Sequence, residues 1–330
     1  MTLRPFEIKV TRFVGSHAFS FLLMAMALMG ALIGYTTMPL PYAGDGGPVF
    51  ASPDTWLPAL SVSFFAGIML TAAVAGMMEM TNRVFNLLRT PTLLFLGLYA
   101  VMQAATPLVV CRAPSGILLN LVVLGVLASF YTTYQRPLRT RRIFLSFCVM
   151  SALAMADYVY LIYIGLFLLA FGQMRTASAR MYLAAVMGIV TPWWITWGFG
   201  LMPDGIHMPV THSIFTELDS PRVILMTVTV GVTVIGLFLL CVSNMMKVYS
   251  YNAKARAMSG LLMMLSLATA IAALVNVSNA PAYLSVLNCF VAYQATLCFK
   301  TNEKRRGYIM VAALLLVYLI IYAFNIWIYA

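Results

Sequence analysis

Residues 143–174 read IFLSFCVMSALAMADYVYLIYIGLFLLAFGQM, 32 positions with a single charge, Asp157, close to the middle. Drawn as one helix at 1.5 Å per residue, the stretch would be about 48 Å long, far more than a hydrocarbon core of about 30 Å. Two short helices meeting at Asp157 remove the excess. The rest of the chain decides between the two readings. Its 330 residues are 62% hydrophobic and 9% charged, a composition that leaves the membrane class and excludes an ordinary globular domain. Apolar runs bounded by Lys, Arg, Pro or Gly fall at roughly 17–36, 57–78, 91–110, 116–134, 143–156, 158–174, 181–201, 221–246, 257–275, 281–299 and 308–329. The first follows Arg4, Lys9 and Arg12 but outruns the apolar region of a signal peptide and reads as a retained helix.

Counting cations on each side fixes the choice at Asp157. Splitting the stretch there puts 18 of the 20 Lys and Arg residues on one side, with only Arg112 and Arg222 opposite. A single long span inverts everything downstream and leaves ten against ten. Basic residues favour the cytoplasmic side. The sequence therefore predicts an all-α polytopic transmembrane bundle of about eleven spans, within a range of about nine to twelve. Its N-terminus is cytoplasmic, its C-terminus external, and residues 1–330 form one integral membrane domain in a bacterial inner membrane. The net charge of +11 is then an orientation signal spread over short loops, with no soluble module to hold nucleic acid. Clusters such as Arg136–Arg142 and Lys300–Arg306 are expected to attract anionic headgroups.

Five cysteines, Cys111, Cys148, Cys241, Cys289 and Cys298, stand in no CxxC spacing and read as packing residues. No cytoplasmic loop holds a Gly-rich phosphate loop. No metal or other cofactor is expected, since His207 and His212, separated by Pro209, do not form an i, i+4 ligand pair. Chemistry is sought instead in two external segments. The first, 37–56, contains Asp45 in a GDGGP turn and Asp54 in SPDTW. Either is a candidate general base; alternatively Asp45 makes a turn and Asp54 caps the helix that follows. The second, 202–220, gathers Asp204, His207, His212, Glu217 and Asp219 ahead of Arg222, a set suited to a phosphate headgroup or to a solvated loop. Asp157 is either an ionisable relay in the membrane or the turn residue of a hairpin. Glu79 and Arg83 form an i, i+4 pair. Pro192 interrupts the seventh run beside Trp193, Trp194 and Trp197, an outer aromatic belt or a surface for sugar faces.

Asn82, Leu98-Tyr99, Asn120, Phe144 and the segment Gly188–Pro192 resemble a family of multi-span proteins of Bacteroidota. Some members of that family carry a carotenoid-monooxygenase label; three histidines do not make the four-histidine iron site such chemistry uses. The acidic first external loop and the short outward-tipped helix pairs resemble the GT-C class of membrane glycosyltransferases. That resemblance implies an enzyme of envelope biogenesis that transfers or polymerises a polyprenyl-linked glycan at the outer leaflet. Asp45 or Asp54 would then activate the acceptor, and Arg112, His207, His212 and Arg222 would hold the lipid phosphate. The chain departs from the class in lacking a paired acidic motif and an external globular domain. Two other readings compete. A transporter or lipid flippase would line a polar path with Asp157, Gln103, Asn120, Asn276, Asn288 and Gln294. A structural subunit would use the same groups only to join helices.

Overall fold

The computed structural model describes residues 5–37, 46–57, 59–89, 92–136, 139–202, 221–248, 250–276, 279–301 and 305–329. These form thirteen α-helices: α1 Pro5–Val14, α2 His17–Thr37, α3 Leu60–Phe85, α4 Leu94–Ala104, α5 Pro107–Cys111, α6 Pro114–Thr133, α7 Thr140–Ala154, α8 Val159–Gln173, α9 Ala179–Gly198, α10 Pro221–Val248, α11 Ala253–Val275, α12 Ala280–Thr301 and α13 Arg305–Tyr329. A 3-10 turn, Pro53–Trp56, lies between α2 and α3.

All eleven apolar runs of the sequence fall on helices, but their boundaries differ in instructive ways. The run 91–110 is broken: α4 stops at Ala104 and α5 restarts at Pro107. Proline offers no N–H and pushes the preceding residue out of helical dihedrals, and Thr106 sits at φ −118°, ψ 79°. The run 57–78 continues as α3 to Phe85, past the apolar residues, with the Arg83 Nε–Glu79 Oε1 pair at 2.6 Å on its last turns. Asn86 ends it in the left-handed region at φ 50°, and Asn82 Oδ1 accepts from the Leu88 N–H at 3.0 Å. The hairpin at Asp157 is present. Helix α7 ends at Ala154 and α8 begins at Val159.

Among the described residues, seven helices are long and apolar enough to cross a membrane: α2, α3, α6, Val223–Val248 of α10, α11, α12 and Gly307–Ile328 of α13. Helices α4, α7 and α8 are shorter, at 11, 15 and 15 residues. Their neighbours in sequence run in opposite directions, so the molecule has two chemically different ends. At one, Gln135 N–H donates to the Met174 carbonyl, Tyr131 OH to Met258 and Arg89 lies over the Tyr251 ring. Among the described residues, the Lys and Arg side chains other than Arg112 gather there. At the other, Gly34 abuts Pro107, Gly116 abuts Ala282 and Asn325 donates to the Ala105 carbonyl. This second end carries Asp54 and Asp157.

Helix α12 is the hub. Every residue from Ala280 to Phe299 is buried, and it packs against α10, α6, α11, α4 and α13. It is also the least apolar of the seven. A helix that meets only protein is free to carry Ser285, Asn288, Gln294 and Thr296 where a lipid-facing helix is not. Helices α7 and α9 also pack closely. A Cβ at Gly188 would stand 2.5 Å from the Phe144 carbonyl oxygen, so only glycine permits this approach. Pro192 does break the hydrogen-bond ladder of α9 here, and the Ser151 hydroxyl of α7 donates to the Ile189 carbonyl at 2.7 Å while accepting from Trp193 Nε1 at 3.1 Å.

Candidate functional site

The first connecting segment folds back onto the end of the bundle. Gly47 N–H donates to Phe50, and the N–H groups of Val49 and Phe50 both donate to the Met155 carbonyl at 3.1 and 3.0 Å. A side chain at Gly47 would collide with that same carbonyl, so the glycine is what allows the loop to seat on the α7–α8 turn. Seating the loop places Ser52 and Asp54 over the start of α6.

Asp54 is 5% exposed. Its carboxylate accepts from the Ser115 N–H at 2.9 Å and from the Ser115 hydroxyl at 2.7 Å. This corrects the local cap expected from the sequence. Asp54 caps a helix, but that helix is α6, 61 positions away in the chain, whose own N-cap residue Ala113 has no side-chain acceptor. Burial pushes the Asp54 carboxyl above its ordinary value, and the Ser115 hydrogen bonds oppose this without cancelling it.

Asp157, also 5% exposed, accepts from the Val159 N–H at 3.0 Å through Oδ1, which starts α8. It therefore makes the expected turn. Tyr160 follows Asp157 in the first turn of α8 and is buried, as is Tyr283 at the start of α12. The Tyr160 hydroxyl is buried with no hydrogen-bond partner among the described residues. Arg112, 8% exposed, ends α5 three positions before Ser115. The first loop thus holds Asp54 on the start of α6 and rests on the turn that carries Asp157, with Arg112 at the end of α5 and Tyr160 and Tyr283 buried at the starts of α8 and α12. Of the residues singled out in the sequence, Asp54, Asp157 and Arg112 belong here. Asp45, His207 and His212 lie outside the described residues, and Arg222 is described only as backbone in α10. Ser115, Tyr160 and Tyr283 were missed; the one available signal was Tyr160 standing three positions after Asp157.

Of the polar residues proposed to line a path, Asp157 sits at the α7–α8 turn, Asn276 ends α11 and accepts from the Asn279 N–H at 3.4 Å, and the other four divide into two sets in the interior. Gln103 Nε2 donates to Tyr99 OH at 3.0 Å and to Ser285 Oγ at 2.6 Å, and Asn120 Nδ2 donates to Tyr99 OH at 3.3 Å. Asn288 Nδ2 donates to Gln103 Oε1 at 3.0 Å, Tyr318 OH donates to Asn288 Oδ1 at 3.3 Å, and the Tyr318 and Thr233 hydroxyls share a bond of 2.8 Å. This string ties α4, α6, α10, α12 and α13 together. Separately, Asn244 Nδ2 donates to the backbone and side-chain oxygens of Gln294 at 2.9 and 2.8 Å. At the surface, Trp194 and Trp197 are 67% and 63% exposed with ring centroids 5.5 Å apart, at the α9 end nearest Asp157.

No protein-family model, no curated protein and no solved structure matches this chain.

Proposed function

We propose that the chain crosses a bacterial inner membrane about eleven times, N-terminus inside and C-terminus outside, and handles a lipid-linked substrate at the outer leaflet. The segregation of cations to one end supports the orientation. The 15-residue helices α7 and α8 reach only about 22 Å; as a pair they enter from the basic end and turn at Asp157 within the headgroup zone. Orientation is open to a direct test. The native cysteines are buried or half-buried, so cysteines placed at exposed Thr55 and Leu201 should react with an impermeant maleimide added outside, while cysteines at Arg141 and Lys254 should react only after lysis. The opposite pattern inverts the topology.

The observation that carries the functional reading is that the first loop seats one buried carboxyl, Asp54, on the start of α6 while resting on the turn that carries a second, Asp157. A carboxyl held above its ordinary value is suited to proton transfer, and Arg112 supplies positive charge for a phosphate. Of the residues that the resemblance to GT-C enzymes implies, Asp54 and Arg112 are at this end of the bundle, and the reading takes from that resemblance envelope biogenesis as the setting and a polyprenyl-linked glycan as the substrate class. The transporter reading draws on the interior string, but its members bond across neighbouring helices, Asn120 through Nδ2 alone with its Oδ1 unpartnered among the described residues, and it reads better as a fastener. Native mass spectrometry of protein extracted with polyprenyl phosphate should show a bound species in wild type that falls by about tenfold in Arg112→Ala, the loss of a charge-assisted bond, and persists in Asp157→Asn without turnover. Equal retention in wild type and Arg112→Ala removes the reading.

A further inference from the structure

A second feature lies at the basic end, remote from Asp54 and Asp157. Helices α3 and α7 both pack on α6 but stand apart from each other, leaving a lateral groove of about 490 Å³, within the range of small-ligand sites. The groove exists because α6 is short of side chain along its floor, at Gly125, Ala128 and Ser129. Its chemistry changes along its length. Arg142, Thr132 and Ser129 stand towards the basic end, whereas Met77, Val122 and Val149 line the deep part. From Thr132 to Val122 the floor runs ten residues, about 15 Å at 1.5 Å per residue. That equals one leaflet of a hydrocarbon core of about 30 Å.

We propose that this groove is a specific site for an anionic phospholipid of the leaflet at the basic end, its acyl chain lying along Met77, Val122 and Val149 and its phosphate at Arg142. Charge complementarity selects the lipid. Arg142, Ser129 and Thr132 line this end of the groove, and Arg139, whose Nη1 donates to the Thr132 carbonyl at 3.2 Å, adds to the positive potential there. A zwitterionic lipid would fill the apolar part equally well and bring a phosphate, but its own cation offsets that charge, so it gains less from the arginines than a lipid of net negative charge. The inference rests on the chain being embedded in a membrane and not on any chemistry at the opposite end.

The test uses the whole protein in vesicles of phosphatidylcholine with a minor fraction of phosphatidylglycerol, followed by native mass spectrometry of the retained lipids. Wild type should retain phosphatidylglycerol above its bulk share. Arg142→Gln should cut that enrichment by about fivefold, the value of one cation near a charged surface, while Arg256→Gln on α11 leaves it unchanged. A Cβ at Gly125 meets only Met77 Cε at 3.8 Å, so Gly125→Leu fits without backbone movement and should expel the lipid while the protein stays folded. Inorganic phosphate added in excess should not compete, because the acyl chain supplies most of the contact. Enrichment that survives both Arg142→Gln and Gly125→Leu, that is lost equally in Arg256→Gln, or that phosphate abolishes overturns the proposal.

Discussion

Asn288→Leu should destabilise the protein by about 2 kcal/mol, and adding Gln103→Leu should cost clearly less than the sum of the two single changes. Leucine keeps the branched skeleton of asparagine and is somewhat larger, so the single change opens no cavity at a position that is 0% exposed. It removes the donor to Gln103 Oε1 and the acceptor of Tyr318 OH. Tyr318 keeps its bond to Thr233, but the Gln103 carbonyl is stranded among apolar side chains. An orphaned buried acceptor costs about 1 to 3 kcal/mol. Hydrogen bonds between membrane helices average only about 0.6 kcal/mol because the unfolded chain in lipid also finds partners, which keeps the expected figure near 2. Replacing Gln103 as well deletes the orphan itself, so the pair should show a coupling above about 0.5 kcal/mol. The measurement is a double-mutant cycle of unfolding in bicelles. Strict additivity would mean the string is not one unit, and the fastener reading of α4, α12 and α13 would fail.

How much of this was legible in the sequence depends on the range of the interaction. Apolar runs and the charge at position 157 act locally, through helix length against bilayer thickness, and they placed the helices and the hairpin. The break at Thr106–Pro107 was equally local but was read through, because the flanking residues are all apolar. Burial of α12 depends on what surrounds it, and its only trace was a modest polarity at Ser285, Asn288 and Gln294. Asn288 and Gln294 stand out singly in the sequence; Ser285 does not. Nor do their partners Tyr99, Thr233 and Tyr318, since an isolated hydroxyl in an apolar helix satisfies itself on the preceding turn as easily as it reaches across, as Thr233 does with the Thr229 carbonyl at 2.7 Å. The acidic end was legible as a list of candidates only. That Asp54 faces Ser115 and not its own helix follows from the loop seating on Met155, which three backbone hydrogen bonds and one glycine decide.

The same geometry sets the second large expectation, at Asp54. Asp54→Ala should lower stability by about 1 to 2 kcal/mol, the value of an N-cap, because the Ser115 N–H and hydroxyl both lose their acceptor inside a buried site. Asp54→Asn should hold wild-type stability near neutral pH. Its Oδ1 accepts from the Ser115 N–H, its Nδ2 donates to the Ser115 oxygen, and no charge needs to be desolvated. Wild type and Asp54→Asn should separate by pH. Burial raises the folded-state carboxyl above its ordinary 3.8, so the fold prefers the protonated form. That preference is complete below the unfolded value and is lost as pH climbs through the folded one. Between those two points wild type should lose stability relative to Asp54→Asn, and above them the difference should be flat. Helix α6 supplies the opposing force: its N-terminus favours a negative charge by a few tenths to about 1 kcal/mol. If Asp54→Asn proves as unstable as Asp54→Ala near neutral pH, that attraction outweighs desolvation, and the carboxylate is a permanent anion holding α6 in place. If Asp54→Asn keeps its stability but loses the proposed substrate chemistry, the proton on Asp54 is what the acidic end of this bundle is built to move.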